Sequence, residues 1–195
     1  MLPLIVSFYT NDWEYPIHAA RLKRECTALG LDYHIECLPT TGSYLKNTCM
    51  KPSFIRKCLD FGRPILWVDV DGSILKVPEF FDGLDADFAA RRMVATRQRT
   101  WHVGTMFFNP TSETVRFLDA WIEKTGECSD ESSLEAAFRE SGQYLITSNI
   151  PAEYFELALG CYKPTDKAVI FHRISTSESK RSQKKFFEDY ERTVI

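Results

Sequence analysis

The sequence predicts an α/β domain with a mixed, mostly parallel sheet flanked by helices. Two observations lead there. From Leu4 to Val68, apolar strand-like runs alternate with helical patterns in the order strand, helix, strand, helix, strand, and that alternation gives a parallel sheet with crossover helices. Hydrophobic residues make up 44% of the 195 and aromatics 13%, enough apolar material for a sizeable core. No repeat, low-complexity stretch or linker divides the chain, so one domain over 1–195 is expected, with 180–195 as a charged helical tail.

The elements follow in order. Leu4 to Tyr9 reads as a buried strand ending at the polar Thr10-Asn11-Asp12. A helix is expected from Tyr15 to Leu29, with apolar Ala19, Leu22 and Cys26 at helical spacing and Gly30 as its stop. Tyr33 to Leu38 alternates like a second strand, and Thr40 to Cys49 is polar enough to be a loop. Pro52 suits the first turn of a helix closed by Gly62. Ile65-Leu66-Trp67-Val68 is the most apolar strand. Further strands are expected at Asp87 to Ala90, Gly104 to Asn109, Tyr144 to Ile146 and Val169 to Phe171, with helices at Glu113 to Lys124 and about Glu131 to Glu140.

The net charge of −3 is less basic than a duplex-binding domain usually shows. The N-terminal apolar run lacks the basic flank and small-residue cleavage site of a signal peptide. No apolar run approaches the ~20 residues that span a bilayer, so a cytoplasmic protein is expected. The six cysteines are scattered without a CxxC pair, which argues against a zinc site and for reduced thiols.

The chemistry concentrates at Asp69-Val70-Asp71-Gly72. An apolar strand delivers two carboxylates at i and i+2, which share a face in an extended backbone. Hard cations such as Mg²⁺ or Mn²⁺ bind through one or two carboxylates plus substrate phosphates. Two other readings compete. Asp71-Gly72 between two apolar triplets is also a hairpin-turn signal. And Asp-x-Asp-Gly-Ser after an apolar strand resembles the first motif of haloacid-dehalogenase-type phosphohydrolases, with Asp69 as nucleophile, Leu145-Ile146-Thr147-Ser148 as a second motif and Lys180 as its lysine. That family usually opens on its aspartate strand, whereas two strand-helix units precede Asp69 here. It also needs a late acidic pair that this chain does not supply.

A third resemblance runs through most of the chain. Lys51-Pro52-Ser53-Phe54-Ile55-Arg56-Lys57-Cys58-Leu59, then Pro64 to Asp71, then Val103-Gly104-Thr105-Met106-Phe107-Phe108-Asn109, then Ser129-Asp130-Glu131-Ser132-Ser133-Leu134, then Ile170-Phe171-His172 resemble, in order, the motifs of Asp-x-Asp glycosyltransferases with the A-type fold. The resemblance implies a single Rossmann-like domain and a metal-dependent transferase. It would move a sugar from a nucleoside-diphosphate-sugar donor, UDP-sugar foremost, to a hydroxyl acceptor. It also implies Mn²⁺ or Mg²⁺ held by Asp69, Asp71 and His172, with Tyr9 and Thr10 receiving the nucleoside. Lys51 and Arg56 would reach the diphosphate or sugar, and Gly104 would let the backbone approach the sugar. Lys180 and Arg181 would clamp the pyrophosphate, while Asp71, Asp130 and Glu131 would sit nearest the reaction.

Each assignment has a plainer counterpart. Tyr9 also fits the sheet rim, and Arg56, Lys180 and Arg181 also fit solvated charges. Asp130 and Glu131 after Ser129 also make a capped helix start. Arg97, Arg99, Trp101 and His102 form a basic, aromatic stretch that suits either acceptor contact or a loop. The acceptor stays open among a glycan, a lipid-linked sugar, a protein and a modified DNA base. So does a non-catalytic nucleotide-binding module on the same fold.

Overall fold

The computed structural model describes residues 1–95, 98–126, 129–159 and 163–174. The first strand, β1 (Leu4–Thr10), is followed by α1 (Tyr15–Ala28), β2 (Tyr33–Leu38), α2 (Tyr44–Thr48), α3 (Lys51–Cys58), β3 (Ile65–Val68) and β4 (Ser73–Ile74). Then come β5 (Phe88–Ala95), β6 (Gln98–Phe108), α4 (Ser112–Lys124), α5 (Asp130–Ser141), β7 (Thr147–Asn149), β8 (Glu156–Leu159) and β9 (Ile170–Ile174). Six strands form one sheet in the order β2-β1-β3-β6-β5-β7, and β4-β9-β8 form a second, smaller sheet. In the large sheet β1 pairs parallel with β2 and β3, and β5 with β7, while β6 runs antiparallel to both its neighbours.

The central strand β3 is apolar at every position because both faces are covered. Leu4, Val6, Ile65, Trp67, Phe88, Met106 and Phe108 face a core closed by α3, α4 and α5 through Phe54, Ile55, Phe117, Trp121 and Leu134. Ile5, Leu66, Val68, Ala89 and Phe107 face the opposite core, closed by Ala19, Leu22 and Cys26 of α1 and by Ile74 and Ile170 of the small sheet. Side-chain N-caps start both α4 and α5. The Thr111 side chain accepts from Thr114 N at 3.2 Å to start α4. Ser129 does the same for α5 through Ser132 N at 3.3 Å. Cys26, Cys37 and Cys58 are free thiols. Among the described residues no helix is long and apolar enough to cross a membrane.

The structure corrects four readings. Within the expected loop, Tyr44–Thr48 is a short helix. It has no apolar period to announce it, and it is held by the side-chain Oδ1 of Asn47, which accepts from Thr41 N at 2.9 Å and Thr41 Oγ1 at 2.6 Å. The strands β5 and β6 form a ribbon longer than expected, so Trp101 and His102 lie on a strand rather than in a loop. Arg91 and Arg92 break the apolar pattern, yet a ladder needs only backbone bonds, and the Arg92 guanidinium rests over the Trp101 ring at 4.8 Å. Tyr144 to Ile146 is not a strand. Gly142–Tyr144 is a 3₁₀ turn, and the polar Thr147–Asn149 pairs instead as the sheet edge. Asp69 to Gly72 does form a turn, but Ser73–Ile74 leaves for β9 instead of folding back on β3, so there is no hairpin. The expected tail at 180–195 lies outside the described residues.

Phe88 is fully buried, with ring centroids 5.4 Å from Trp101 and 5.3 Å from both Phe108 and Phe117. Phe88→Ala is expected to destabilise the fold by about 3–5 kcal/mol through the cavity it leaves. Urea denaturation measures this, and a loss near ~1 kcal/mol would mean that the aromatic cluster re-closes.

Candidate functional site

Open α/β sheets leave a crevice beyond the carboxyl ends of their strands. Here β1 and β3 open onto a cavity of about 210 Å³ lined by Tyr9, Thr10, Lys51, Asp69, Asp71, Asp130 and Glu131, with Tyr15, Tyr44, Trp67 and His102 completing its wall. Seven of the residues expected from the sequence therefore converge. Arg56 does not join them, since its guanidinium pairs outside with Asp119 at 3.2 Å and Asp60 at 3.5 Å. Lys180 and Arg181 lie outside the described residues.

Lys51 is the hub. It opens α3 with only 4% of its surface exposed, and its ammonium lies 2.9 Å from Asp69 Oδ1 and 2.5 Å from Asp130 Oδ2. It also donates to Val103 O at 3.3 Å and sits 5.3 Å from the centre of the Trp67 ring. Burial alone would push its pKa down, but Asp69 and Asp130 outweigh burial and hold the ammonium well above its usual range. Asp69 Oδ1 accepts a further bond from Trp67 Nε1 at 2.9 Å, so its carboxylate is fixed in place.

Asp71 sits at the corner of a turn closed by Gly72 N donating to Asp69 O at 2.7 Å. The two carboxylates are thus set by a turn, and not by the extended i, i+2 backbone that the sequence suggested. Burial, and then the charge of Asp69, push Asp71 up to about 6. A carboxylate pair held together against its own repulsion is a donor set that a hard divalent cation fits. The turn needs glycine at position 72, because a Cβ there would stand 2.9 Å from Asp69 O and 3.0 Å from His172 Cε1.

His172 is buried behind this turn, and its Nε2 shares a 2.6 Å hydrogen bond with Thr105 Oγ1. Among the described residues no three His, Cys, Asp or Glu side chains are grouped to hold a metal, so the expected Asp69–Asp71–His172 triad is not assembled in this arrangement. Gly104 lies behind the cavity wall. A Cβ on it would meet His102 Cε1 at 2.8 Å and His172 Cε1 at 3.0 Å, so its glycine makes room for two imidazoles. His102 Nδ1 accepts from Gly104 N at 2.9 Å, which leaves the ring proton on Nε2. The ring packs on Phe155 with centroids 3.6 Å apart. Burial, then His172, pushes His102 down to about 3, and burial pushes His172 down to about 4.

Asp130 and Glu131 begin α5. Ser129 caps their helix, and both carboxylates face the cavity. Burial, then Asp130, raises the Glu131 pKa. Sequence reasoning missed Tyr15 and Tyr44 as cavity residues, because nothing in spacing shows which helix ends meet a strand end. It also missed Arg21 and Thr105, which act through backbone and imidazole behind the site. Leu145 to Ser148 leads into the edge strand β7, separated from β3 by β6 and β5. It cannot serve Asp69 as the second motif of a phosphohydrolase.

No protein-family model and no curated protein matches the chain. Solved structures do. A glycosyltransferase involved in the glycosylation of the major capsid of PBCV-1 matches with a TM-score of 0.69 at 14% identity, over 94% of this chain and 98% of that one. The galactosyltransferase LgtC, in complex with donor and acceptor sugar analogs, matches with a TM-score of 0.53 at 10% identity, over 88% of this chain and 87% of that one. The apo glycosyltransferase GlyE of Streptococcus pneumoniae TIGR4 matches with a TM-score of 0.57 at 14% identity, over 90% of this chain but 55% of that one. This chain therefore spans about half of the GlyE chain. The fold is the A-type glycosyltransferase fold.

Two predictions follow from this geometry. Lys51→Met leaves Asp130 nearly buried without its counter-charge, and is expected to cost about 3 kcal/mol in a denaturant titration. A loss under ~1 kcal/mol would show that the carboxylates are adequately solvated without the lysine. For His102, a folded pKa below the unfolded value favours the neutral ring in the folded state, so its stability contribution is full above about 6.5 and declines as pH falls toward about 3. Relative to His102→Gln, the parent protein is therefore expected to lose stability steadily across that window, as followed by thermal unfolding at stepped pH. Parallel curves for the two proteins would contradict the buried neutral ring.

Proposed function

We propose that the protein is a glycosyltransferase that transfers a sugar from a nucleoside-diphosphate-sugar donor, foremost a UDP-sugar, to a hydroxyl acceptor. The observation that carries this is the convergence of Asp69, Asp71, Lys51, Asp130 and Glu131 with three tyrosines in one cavity at the strand ends of this fold. Tyr9 and Tyr15 offer aromatic faces and Thr10 a strand-end polar group for the nucleoside. Asp69 and Asp71 are the residues that would hold Mn²⁺ or Mg²⁺. When bound, such a cation neutralises the diphosphate and stabilises it as it departs. Lys51 orients Asp69 and Asp130 through its two ion pairs as acceptors for sugar hydroxyls. Asp130 and Glu131 flank the sugar end, where a carboxylate stabilises positive charge developing at the reacting carbon. Lys180 and Arg181 are cations suited to the leaving pyrophosphate. The single domain over 1–195 and a cytoplasmic location belong to the same reading.

A panel of nucleotide sugars, with Mn²⁺ and with EDTA, tests the reading through release of nucleoside diphosphate. Metal-dependent release is expected, and Asp71→Ala should lower it by about 100-fold or more, as when a charge-stabilising group is lost. Hydrolysis of simple phosphoesters without nucleotide-sugar binding would overturn the reading in favour of a phosphohydrolase. Donor binding without turnover on any acceptor class would leave a nucleotide-binding module.

A further inference from the structure

The backbone that follows the two motif aspartates is gripped from one side by a buried ion pair of α1. Arg21 is 3% exposed, and its Nη2 donates to Asp71 O at 2.9 Å and to Gly72 O at 2.8 Å. One helical turn on, Glu25 lies 3.5 Å from Arg21 Nε, and its Oε2 accepts from Ile74 N at 2.9 Å. Three backbone polar groups of the segment 71–74 are thus held by two side chains of one helix.

The opposite side is held by the small sheet, where Ser73 and Ile74 pair with Phe171 and Ile170 and Leu75 N donates to Val169 O at 2.8 Å. That pairing begins only at Ser73. The corner at Asp71 and Gly72, where the second carboxylate originates, has no ladder partner, and there both Nη2 bonds of Arg21 fall. A corner carrying two like charges needs such a brace, because repulsion between Asp69 and Asp71 favours opening it. The Arg21 charge also offsets that of Asp71.

We propose that Arg21, oriented by Glu25, is the positioning residue of the motif turn, fixing Asp71 relative to Asp69 and so setting the affinity of the pair for a divalent cation on a nucleoside diphosphate. The proposal rests on the metal reading of this site. The described bonds of Arg21 run to the backbone of Asp71 and Gly72 and to Glu25, so it acts on the site through Asp71. The planar guanidinium suits the task because its N–H groups diverge toward neighbouring acceptors, whereas a lysine ammonium is a single, flexible point charge.

The test is calorimetric titration of Mn²⁺ into the full chain with saturating UDP, beside titration of uridine alone. Arg21→Met is expected to weaken Mn²⁺ binding by about tenfold or more, as for a lost charge-assisted bond pair, with uridine binding unchanged. Arg21→Lys should recover part of that loss, which a generic packing defect would not permit. If Arg21→Met lowers the unfolding temperature yet binds Mn²⁺ like the parent protein, the residue is structural only and the proposal is overturned. Should Arg21→Met fail to fold, unchanged Mn²⁺ affinity in Arg21→Lys overturns it equally. A parent protein that binds UDP but no Mn²⁺ overturns the metal reading, and the proposal with it.

Discussion

A buried ammonium must find its counter-charges inside the protein, and the site is organised around that requirement. Lys51 has almost no contact with water, so Asp69 from the end of β3 and Asp130 from the start of α5 have to meet at its nitrogen. The Val103 carbonyl of β6 supplies a further acceptor. One side chain thereby ties α3, β3, β6 and α5 together at the carboxyl end of the sheet. Moving any of these elements would strand a charge in low dielectric, a larger cost than most single contacts. The same pairing keeps the cavity acidic but not uniformly so, with a cation at its floor and carboxylates around it.

The two cores give this hub a rigid base. β3 is apolar at all four positions because α3 and α4 cover one face while α1 and the small sheet cover the other. A strand held on both faces delivers Asp69 with little freedom. The turn that follows is set by three packed groups. Gly72 leaves room for the Asp69 carbonyl and the His172 ring, Arg21 holds the corner carbonyls, and β9 receives the chain as it leaves. At the back of the cavity wall His102 packs against Phe155, which packs in turn against His172, and burial keeps both imidazoles neutral. The described site is thus charged at the front and neutral at the back.

Much of this was legible in the residues, and the reason is periodicity. Leu4 to Thr10, Tyr15 to Ala28 and Ile65 to Val68 carry patterns whose period is a local property of the backbone, so their type and order could be read directly. Their alternation gave the α/β class. The position of Asp69 at a strand end and the capping role of Ser129 followed from the same local rules. Order along the chain also gathered Tyr9, Lys51, Asp71, Asp130 and Glu131 into one expected site.

Pairing between distant residues carries no such period. The sequence did not say that Ser73–Ile74 would leave β3 for β9, that Thr147–Asn149 would close the sheet edge, or that Arg56 would turn outward to Asp119. Nor did it show that Lys51 would be buried between two carboxylates rather than exposed on its helix, or that His172 would bond Thr105. Local residue patterns specify which elements form and which of them end in chemically capable side chains. Which of those side chains meet is a matter of long-range packing, because burial and hydrogen bonding between distant residues depend on how the two cores close around β3.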